Sequence, residues 1–149
     1  MDLGLNGKVA MITGGSRGLG KQAATSLARE GCKISICARG SETLDAAVAE
    51  FKAQGYQVHG VPADVTSDDD AARFYSETVA NLGYPDILVN NVGGRRGSVI
   101  FEETSLEQFR EGLEVNLVSA FRMVGLVLPH MKAQGWGRIV NISSIFGRE

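Results

Sequence analysis

Glycines recur at close spacing in residues 13–20, which read Thr-Gly-Gly-Ser-Arg-Gly-Leu-Gly. An apolar run precedes this segment and an amphipathic run follows it, so it falls at a predicted strand-to-helix turn. Glycine lacks a Cβ and lets a backbone approach phosphate oxygens. The unpaired N–H groups and the dipole at a helix N-terminus also favour an anion. Gly14, Gly18 and Gly20 therefore predict a turn that binds a diphosphate.

Two other interpretations of this turn are open. It is a tight turn without a ligand, or it is a P-loop, because Gly15, Gly20 and Lys21 nearly match that spacing. A P-loop needs Ser or Thr at the next position to hold Mg²⁺, and the residue there is Gln22. The sequence therefore disfavours a nucleoside triphosphatase.

Positive charge is predicted where the second strand ends. About 20 residues after the glycine turn, an NAD site carries an acid for the ribose 2′-hydroxyl, but Arg39 stands there and Arg17 lies inside the turn. Two guanidinium groups suit a 2′-phosphate in charge and in fork geometry. The alternative is that both arginines are solvated surface residues. NADP(H) is favoured, with NAD(H) as the other option.

Asp64 follows the third predicted strand. A carboxylate at that end of a strand can accept a hydrogen bond from an adenine amino group. The alternative is that Asp64 begins a turn before a helix cap at Thr66 or Ser67. Both interpretations stay open at the level of sequence.

Two further polar residues occupy positions of functional interest. Asn116 lies in a predicted helix among apolar residues, where Asn is a poor helix former and needs hydrogen-bond partners if buried. Such local conflicts are expected at functional sites, although a satisfied core amide is the alternative. Ser144 comes just after the last predicted strand, at the edge where doubly wound sheets bind ligands.

Strand-like and helix-like stretches alternate along the whole chain. Strands are predicted at 8–13, 33–38, 57–62, 86–90 and 138–142, and helices at 19–30, 41–54, from 66 or 67 to 83, and 105–133. Ser41 is expected to cap the second helix, and Ser105 to begin the fourth with a capping box. This order predicts an α/β fold, a Rossmann-type doubly wound parallel sheet in strand order 3-2-1-4-5.

Bulk properties narrow the class of protein. The 149 residues suit one domain, and a net charge of −2 disfavours nucleic-acid binding. No run approaches the roughly 18 apolar residues of a membrane helix, so no membrane partner is expected. The first residues resemble no signal peptide, and we expect a cytoplasmic protein.

Four motifs, in this order, resemble those of the classical short-chain dehydrogenase/reductase family. They are the glycine turn, Asn-Asn-Val-Gly at 90–93, Glu-Val-Asn-Leu at 114–117, and Gly-Arg-Ile-Val-Asn-Ile-Ser-Ser-x2-Gly at 137–147. The resemblance implies an NAD(P)-binding Rossmann domain over residues 1–149. It also implies hydride transfer between a nicotinamide and a small-molecule carbonyl or secondary alcohol, and a homo-oligomer (dimer or tetramer).

The resemblance assigns catalytic roles to Ser144 and Asn116. No metal site is expected, because Cys32 and Cys37 have no Cys or His partners near them in the sequence. The residues expected to hold NADP(H) are Gly14, Ser16, Arg17, Gly18, Leu19, Gly20, Arg39, Asp64, Val65, Asn91 and Gly93.

The family's catalytic Tyr-x3-Lys pair is missing from these 149 residues. The sequence stops before the helix that carries this pair, and the later strands are also missing. We therefore expect this chain alone to be inactive, as the cofactor-binding portion of a longer oxidoreductase. The alternative is a catalytically inactive nucleotide-binding or scaffold module that ends natively at Glu149.

Overall fold

The computed structural model describes residues 2–95, 97–98 and 100–144. The strands are β1 (Val9–Thr13), β2 (Lys33–Ala38), β3 (Val58–Pro62), β4 (Ile87–Asn90) and β5 (Arg138–Asn141). The α-helices are α1 (Gly18–Arg29), α2 (Ser41–Ala53), α3 (Asp68–Leu82), α4 (Leu106–Leu113) and α5 (Ser119–Ala133). A 3₁₀ turn spans Phe101–Glu103, and a π-helical segment, Glu114–Val118, joins α4 to α5.

All five strands are parallel and lie in the order β3-β2-β1-β4-β5, which confirms the predicted Rossmann-type sheet. The central strand β1 is buried along its whole length, and its Ile12 pairs with Ile36 on one side and Val89 on the other. Strands buried on both faces read as continuous apolar runs, so the sequence revealed them clearly. The edge strand β5 is mostly exposed.

Alternate strand residues pack into two cores, one on each face of the sheet. In one core, Ile12 and Ile34 pack with Ala24 of α1 and Phe51 of α2. In the other, Met11, Leu88 and Val61 pack with residues of α3 and α5, among them Phe74, Met123 and Val127. The result is the three-layer arrangement expected of a doubly wound fold.

The helix caps follow the sequence prediction at two positions and depart from it at one. Ser67 caps α3, because its side chain accepts a hydrogen bond from Asp70 N, and Ser105 and Gln108 form the predicted capping box of α4. The prediction for Ser41 was wrong. Gly40 occupies the N-cap position without a side-chain bond, and Ser41 is the first residue of α2. Only two residues, Arg39 and Gly40, separate β2 from α2, so Ser41 already lies within the helix.

The predicted single helix over 105–133 is divided by the π-helical segment Glu114–Val118. The combined run Leu106–Ala133 is, by length and composition, the one helix in the described part of the chain that could cross a membrane. The sequence-based exclusion of such a run was therefore too strict. A single helix of this kind is weak evidence for a membrane span, and Met123, Val127 and Met131 of α5 pack on the sheet.

Candidate functional site

A crevice of about 910 Å³ lies at the carboxyl ends of the strands. Its lining includes most of the predicted cofactor residues, namely Gly14, Ser16, Arg17, Gly18, Arg39, Asp64, Val65, Asn91 and Gly93. These residues come from four separate strand ends, which a parallel sheet brings to one edge. Glu111, Glu114 and Val115 close the crevice from the helical side.

Two glycines of the turn adopt the left-handed conformation that other residues avoid. Gly14 has a φ of 65° and Gly18 a φ of 55°. A Cβ added to Gly14 would lie 3.0 Å from the Nδ2 atom of Asn91, whereas one added to Gly18 would meet nothing within 4 Å. Gly14 is therefore required by both conformation and packing. Gly18 is required by conformation and faces open space at the start of α1.

The other two predicted contacts in the turn lie outside the crevice lining. A Cβ on Gly20 would lie 2.4 Å from both the carbonyl oxygen of Gly14 and the Nδ2 atom of Asn91. Gly20 thus lets α1 pack closely against the turn. Leu19 is 60% exposed in the first turn of α1.

Lys21 does not take the position of a P-loop lysine. Its ammonium group lies 2.5 Å from Glu50 Oε2, so it joins α1 to α2, and Lys21 is not part of the crevice lining. A P-loop lysine reaches the β- and γ-phosphates of its nucleotide. The structure therefore gives no support to the nucleoside triphosphatase interpretation.

Thr13 is a site residue that the sequence analysis missed. Its hydroxyl oxygen accepts hydrogen bonds from the backbone N–H of Asn91 at 2.9 Å and of Val92 at 3.0 Å. In return, Asn91 Nδ2 donates to the carbonyl oxygens of Thr13 at 3.0 Å and Gly14 at 3.2 Å. These four bonds fix the glycine turn against the loop after β4. The available signal was a threonine ending an otherwise apolar strand.

Arg17 and Arg39 both line the crevice and both are exposed. Within the described residues, neither guanidinium group takes part in an ion pair. Half-buried Ser16 lines the same cavity. This end of the crevice thus carries two guanidinium groups that form no ion pair with a described carboxylate, and a bound phosphate would be a suitable partner for them.

Asp64 begins a turn and also lines the crevice. Its Oδ1 atom accepts hydrogen bonds from the backbone N–H of Thr66 at 3.0 Å and from its hydroxyl at 2.8 Å. The turn interpretation is therefore confirmed, and the position in the crevice lining keeps the adenine contact as a prediction. Val65 lines the crevice beside it, although its side chain is only 2% exposed and packs mainly in the core.

Asn116 lies in the π-helical segment and links it to the loop after β4. Its Nδ2 atom donates to the carbonyl oxygens of Gly94 and Gly112, both at 2.8 Å, and its Oδ1 accepts from Gly94 N at 2.9 Å. The side chain is exposed yet fully engaged, so it is not a core amide. π-helical turns inside helices are frequent at functional sites.

Ser144 follows β5 by three residues and is exposed at the carboxyl edge of the sheet. Asn116 and Ser144 are not part of the crevice lining, and Gly147 of the serine motif lies outside the described residues. Their catalytic roles stay predictions. The three tyrosines, Tyr56, Tyr75 and Tyr84, are likewise absent from the crevice lining.

Cys37 lies at the base of the crevice with its thiol fully buried. Burial raises the pKa of this thiol to about 12, and the nearby carboxylates of Asp64 and Asp70 add to the effect, against a hydrogen bond from the backbone of Gly14. The thiol is therefore neutral at physiological pH and is a poor nucleophile. Its part in the site is to pack beneath the turn.

A parallel sheet in the order 3-2-1-4-5, with a crevice at the carboxyl ends of its strands, defines a Rossmann-type dinucleotide-binding domain. The sequence model for short chain dehydrogenases matches residues 8–149. The chain belongs to the short-chain dehydrogenase family.

Several known proteins resemble this chain. An uncharacterized oxidoreductase, YvrD of Bacillus subtilis, is 41% identical over 99% of this chain and 55% of its own length. Actinorhodin polyketide ketoreductase, solved with NADPH, superimposes with a TM-score of 0.90 at 35% identity, covering 95% of this chain and 55% of the other. A 7α-hydroxysteroid dehydrogenase, solved with NADH, superimposes with a TM-score of 0.91 at 31% identity, covering 97% of this chain and 56% of the other. The chain thus spans little more than half the length of these proteins.

Proposed function

We propose that the protein containing this chain is an NADP(H)-dependent oxidoreductase that interconverts a small-molecule carbonyl and its secondary alcohol. The family supplies the broader class, an oxidoreductase with a nicotinamide cofactor. The observation that carries the cofactor choice is the position of Arg17 and Arg39, which line one crevice without a carboxylate partner among the described residues.

The crevice has the size and chemistry that the dinucleotide needs. Its volume of about 910 Å³ is large for a ligand site. The left-handed Gly18 has open space before it at the start of α1, where backbone N–H groups can meet a diphosphate. Asp64 and Val65 line the part of the crevice that would take the adenine base. When bound, the nicotinamide supplies or accepts the hydride.

The choice between the two cofactors depends on residues of this chain. One structural neighbour was solved with NADPH and another with NADH, so the fold alone does not decide between the two cofactors. NAD-binding domains place an acid near the ribose hydroxyls. This chain has Arg39 at that position, after the end of β2, and a cation there favours the 2′-phosphate.

We propose that Ser144 orients the substrate oxygen and that Asn116 supports a proton relay. The acid–base tyrosine and lysine of the family are not among these 149 residues. A tyrosine with an ordinary pKa of about 10 needs a nearby cation to act as a base at neutral pH. The relatives that match this chain are longer, and we propose that the complete protein supplies this pair.

We also propose a cytoplasmic homo-oligomer. Support for association comes from α5, where Phe121 is 77% exposed and Leu128 39% exposed, while Val124 packs against the core. Exposed apolar surface of this kind marks association sites.

The test is a titration of the complete protein with NADPH, NADH and 2′,5′-ADP, followed by turnover assays on ketones and aldehydes. We expect NADPH and 2′,5′-ADP to bind, NADPH to bind at least tenfold more tightly than NADH, and a carbonyl to be reduced. Binding without turnover of any carbonyl would favour an inactive nucleotide-binding module. Failure of both dinucleotides to bind would refute the proposal.

A further inference from the structure

Arg122, on α5, connects two walls of the crevice from behind. Its side chain is 18% exposed. Its guanidinium group reaches three acceptors on two separate parts of the chain, the β3–α3 connection and the π-helical segment. The residue is absent from the crevice lining, so it does not face a ligand directly.

On one side, the Nη1 atom donates to the backbone carbonyl of Val65 at 3.0 Å, and Nε pairs with Asp68 at the start of α3. Val65 is 2% exposed and lines the crevice. Because Arg122 binds the backbone carbonyl of Val65, this contact with the crevice wall does not depend on which side chain stands at position 65.

On the other side, the Nη2 atom donates to Glu114 Oε1 at 2.9 Å. Glu114 begins the π-helical segment and lines the crevice. Two residues later, Asn116 binds both backbone groups of Gly94. The segment is thereby held by Arg122 behind it and by the β4 loop in front of it.

The guanidinium geometry accounts for this connection. Arginine presents five N–H donors in a planar fork, whereas lysine concentrates its charge at one flexible point. The pair with Asp68 is weak, because that carboxylate is 87% exposed to solvent. The bonds to Val65 and Glu114 are partly buried and matter more, since each joins a crevice wall to α5.

We propose that Arg122 is a positioning residue for the adenosine half of the dinucleotide, acting through Val65 and Glu114. The inference rests on the proposed function, which assigns the 2′-phosphate to Arg39 and the adenine to the part of the crevice lined by Val65. Arg122 would then help to set the separation of the two walls without lining the crevice itself.

The test compares Arg122→Gln and Arg122→Lys with wild type in the complete protein. The probes are NADPH, 2′,5′-ADP and reduced nicotinamide mononucleotide. In Arg122→Gln, loss of a charged donor should weaken binding of NADPH and 2′,5′-ADP by about tenfold, with kcat at saturating NADPH and affinity for the mononucleotide unchanged. The affinities of Arg122→Lys for NADPH and 2′,5′-ADP should lie between those of wild type and Arg122→Gln. Without any ligand, amide hydrogen exchange over residues 64–70 should be faster in Arg122→Gln.

Arg110→Gln is the matched control. Arg110 lies on α4, is exposed, and forms no ion pair within the described residues. It should leave all affinities and the exchange of residues 64–70 unchanged. An equal effect of Arg110→Gln would show a general charge effect and would overturn the assignment.

The outcomes separate this inference from the proposed function. If wild type binds no dinucleotide, the proposed function fails and the inference about adenosine fails with it. If wild type binds and Arg122→Gln is folded with unchanged affinity, only the inference fails, even where its melting temperature falls. If Arg122→Gln does not fold, Arg122→Lys decides, and unchanged affinity for 2′,5′-ADP in that variant overturns the inference.

Discussion

Thr13 and Asn91 bind each other's backbone across the ends of β1 and β4. Thr13 Oγ1 accepts from Asn91 N at 2.9 Å, and Asn91 Nδ2 donates to the carbonyl oxygen of Thr13 at 3.0 Å. The reciprocal pair makes the glycine turn and the loop after β4 one unit. Both segments line the crevice, so its shape depends on this pair.

Thr13→Val should therefore destabilise the protein. Valine has the shape of threonine but leaves the backbone N–H groups of Asn91 and Val92 without their acceptor. Thr13 is 1% exposed, so the lost bonds should cost about 2 kcal/mol in the free energy of unfolding, measured by urea denaturation. Thr13→Ser keeps the hydroxyl and is the control. Equal stability of the valine and serine variants would contradict the assigned role of the hydroxyl.

Arg39→Asp should shift cofactor preference from NADPH towards NADH. The aspartate removes a donor for the 2′-phosphate, repels that group and can accept from a ribose hydroxyl. We expect the ratio of the two dissociation constants, measured by fluorescence titration of the complete protein, to change by at least about tenfold.

The control is Arg29→Asp, which makes the same charge change far from the crevice. Arg29 is exposed in the last turn of α1, at the end of the helix away from the glycine turn. This variant should leave the ratio as in wild type. An unchanged ratio in Arg39→Asp, or an equal shift in the control, would remove Arg39 from the 2′-phosphate site.

The sequence predicted the sheet and the crevice edge well, because both follow from local patterns. Buried parallel strands are continuous apolar runs, and the strand order was confirmed. The π-helical segment could not be predicted, since it accompanies bonds between Asn116 and Gly94, 22 residues apart. The contact of Arg122 with Val65 spans 57 residues and leaves no periodic signal.

Contacts between distant parts of the chain also decide the roles of the glycines in the turn, and these roles could not be predicted from the sequence. The spacing identified Gly14, Gly18 and Gly20 as one motif, but it could not separate a glycine that faces open space from one that packs on backbone. Gly18 is of the first kind and Gly20 of the second. This distinction depends on the approach of α1 to the loop carrying Asn91, which only the folded chain provides.

Alanine substitutions should reveal this difference. Gly20→Ala places a Cβ 2.4 Å from the carbonyl oxygen of Gly14, so we expect a loss of about 3 kcal/mol in the free energy of unfolding. Gly18→Ala meets no atom within 4 Å and should lose only the strain of a positive φ, about 1 kcal/mol. Chemical denaturation of both variants measures the two losses, and that of Gly20→Ala should be the larger.

Gly125→Ala is the control with the opposite sign. Gly125 lies inside α5, and an added Cβ there meets nothing within 4 Å. Alanine should stabilise the helix by about 0.5–1 kcal/mol. A Gly18→Ala loss as large as that of Gly20→Ala would contradict the packing role assigned to Gly20.

Cys37 should make stability fall at alkaline pH. Burial raises the pKa of its thiol from an ordinary value of 9.0 to about 12 in the folded protein. The unfolded chain thus releases this proton at lower pH than the folded one. The stabilisation is complete below about pH 9 and is lost as the pH rises from about 9 towards 12.

Urea denaturation at pH 8 and pH 10.5 measures the loss of unfolding free energy between the two pH values. This loss should be smaller in Cys37→Ala. The pKa of Cys32 is also raised by burial, so the comparison is made in a Cys32→Ala background. In that background, iodoacetamide should modify Cys37 at pH 8 only as fast as the protein opens, because a protonated buried thiol is inert. Rapid modification of the native protein at pH 8 would show that the thiol is accessible and would contradict its place beneath the glycine turn.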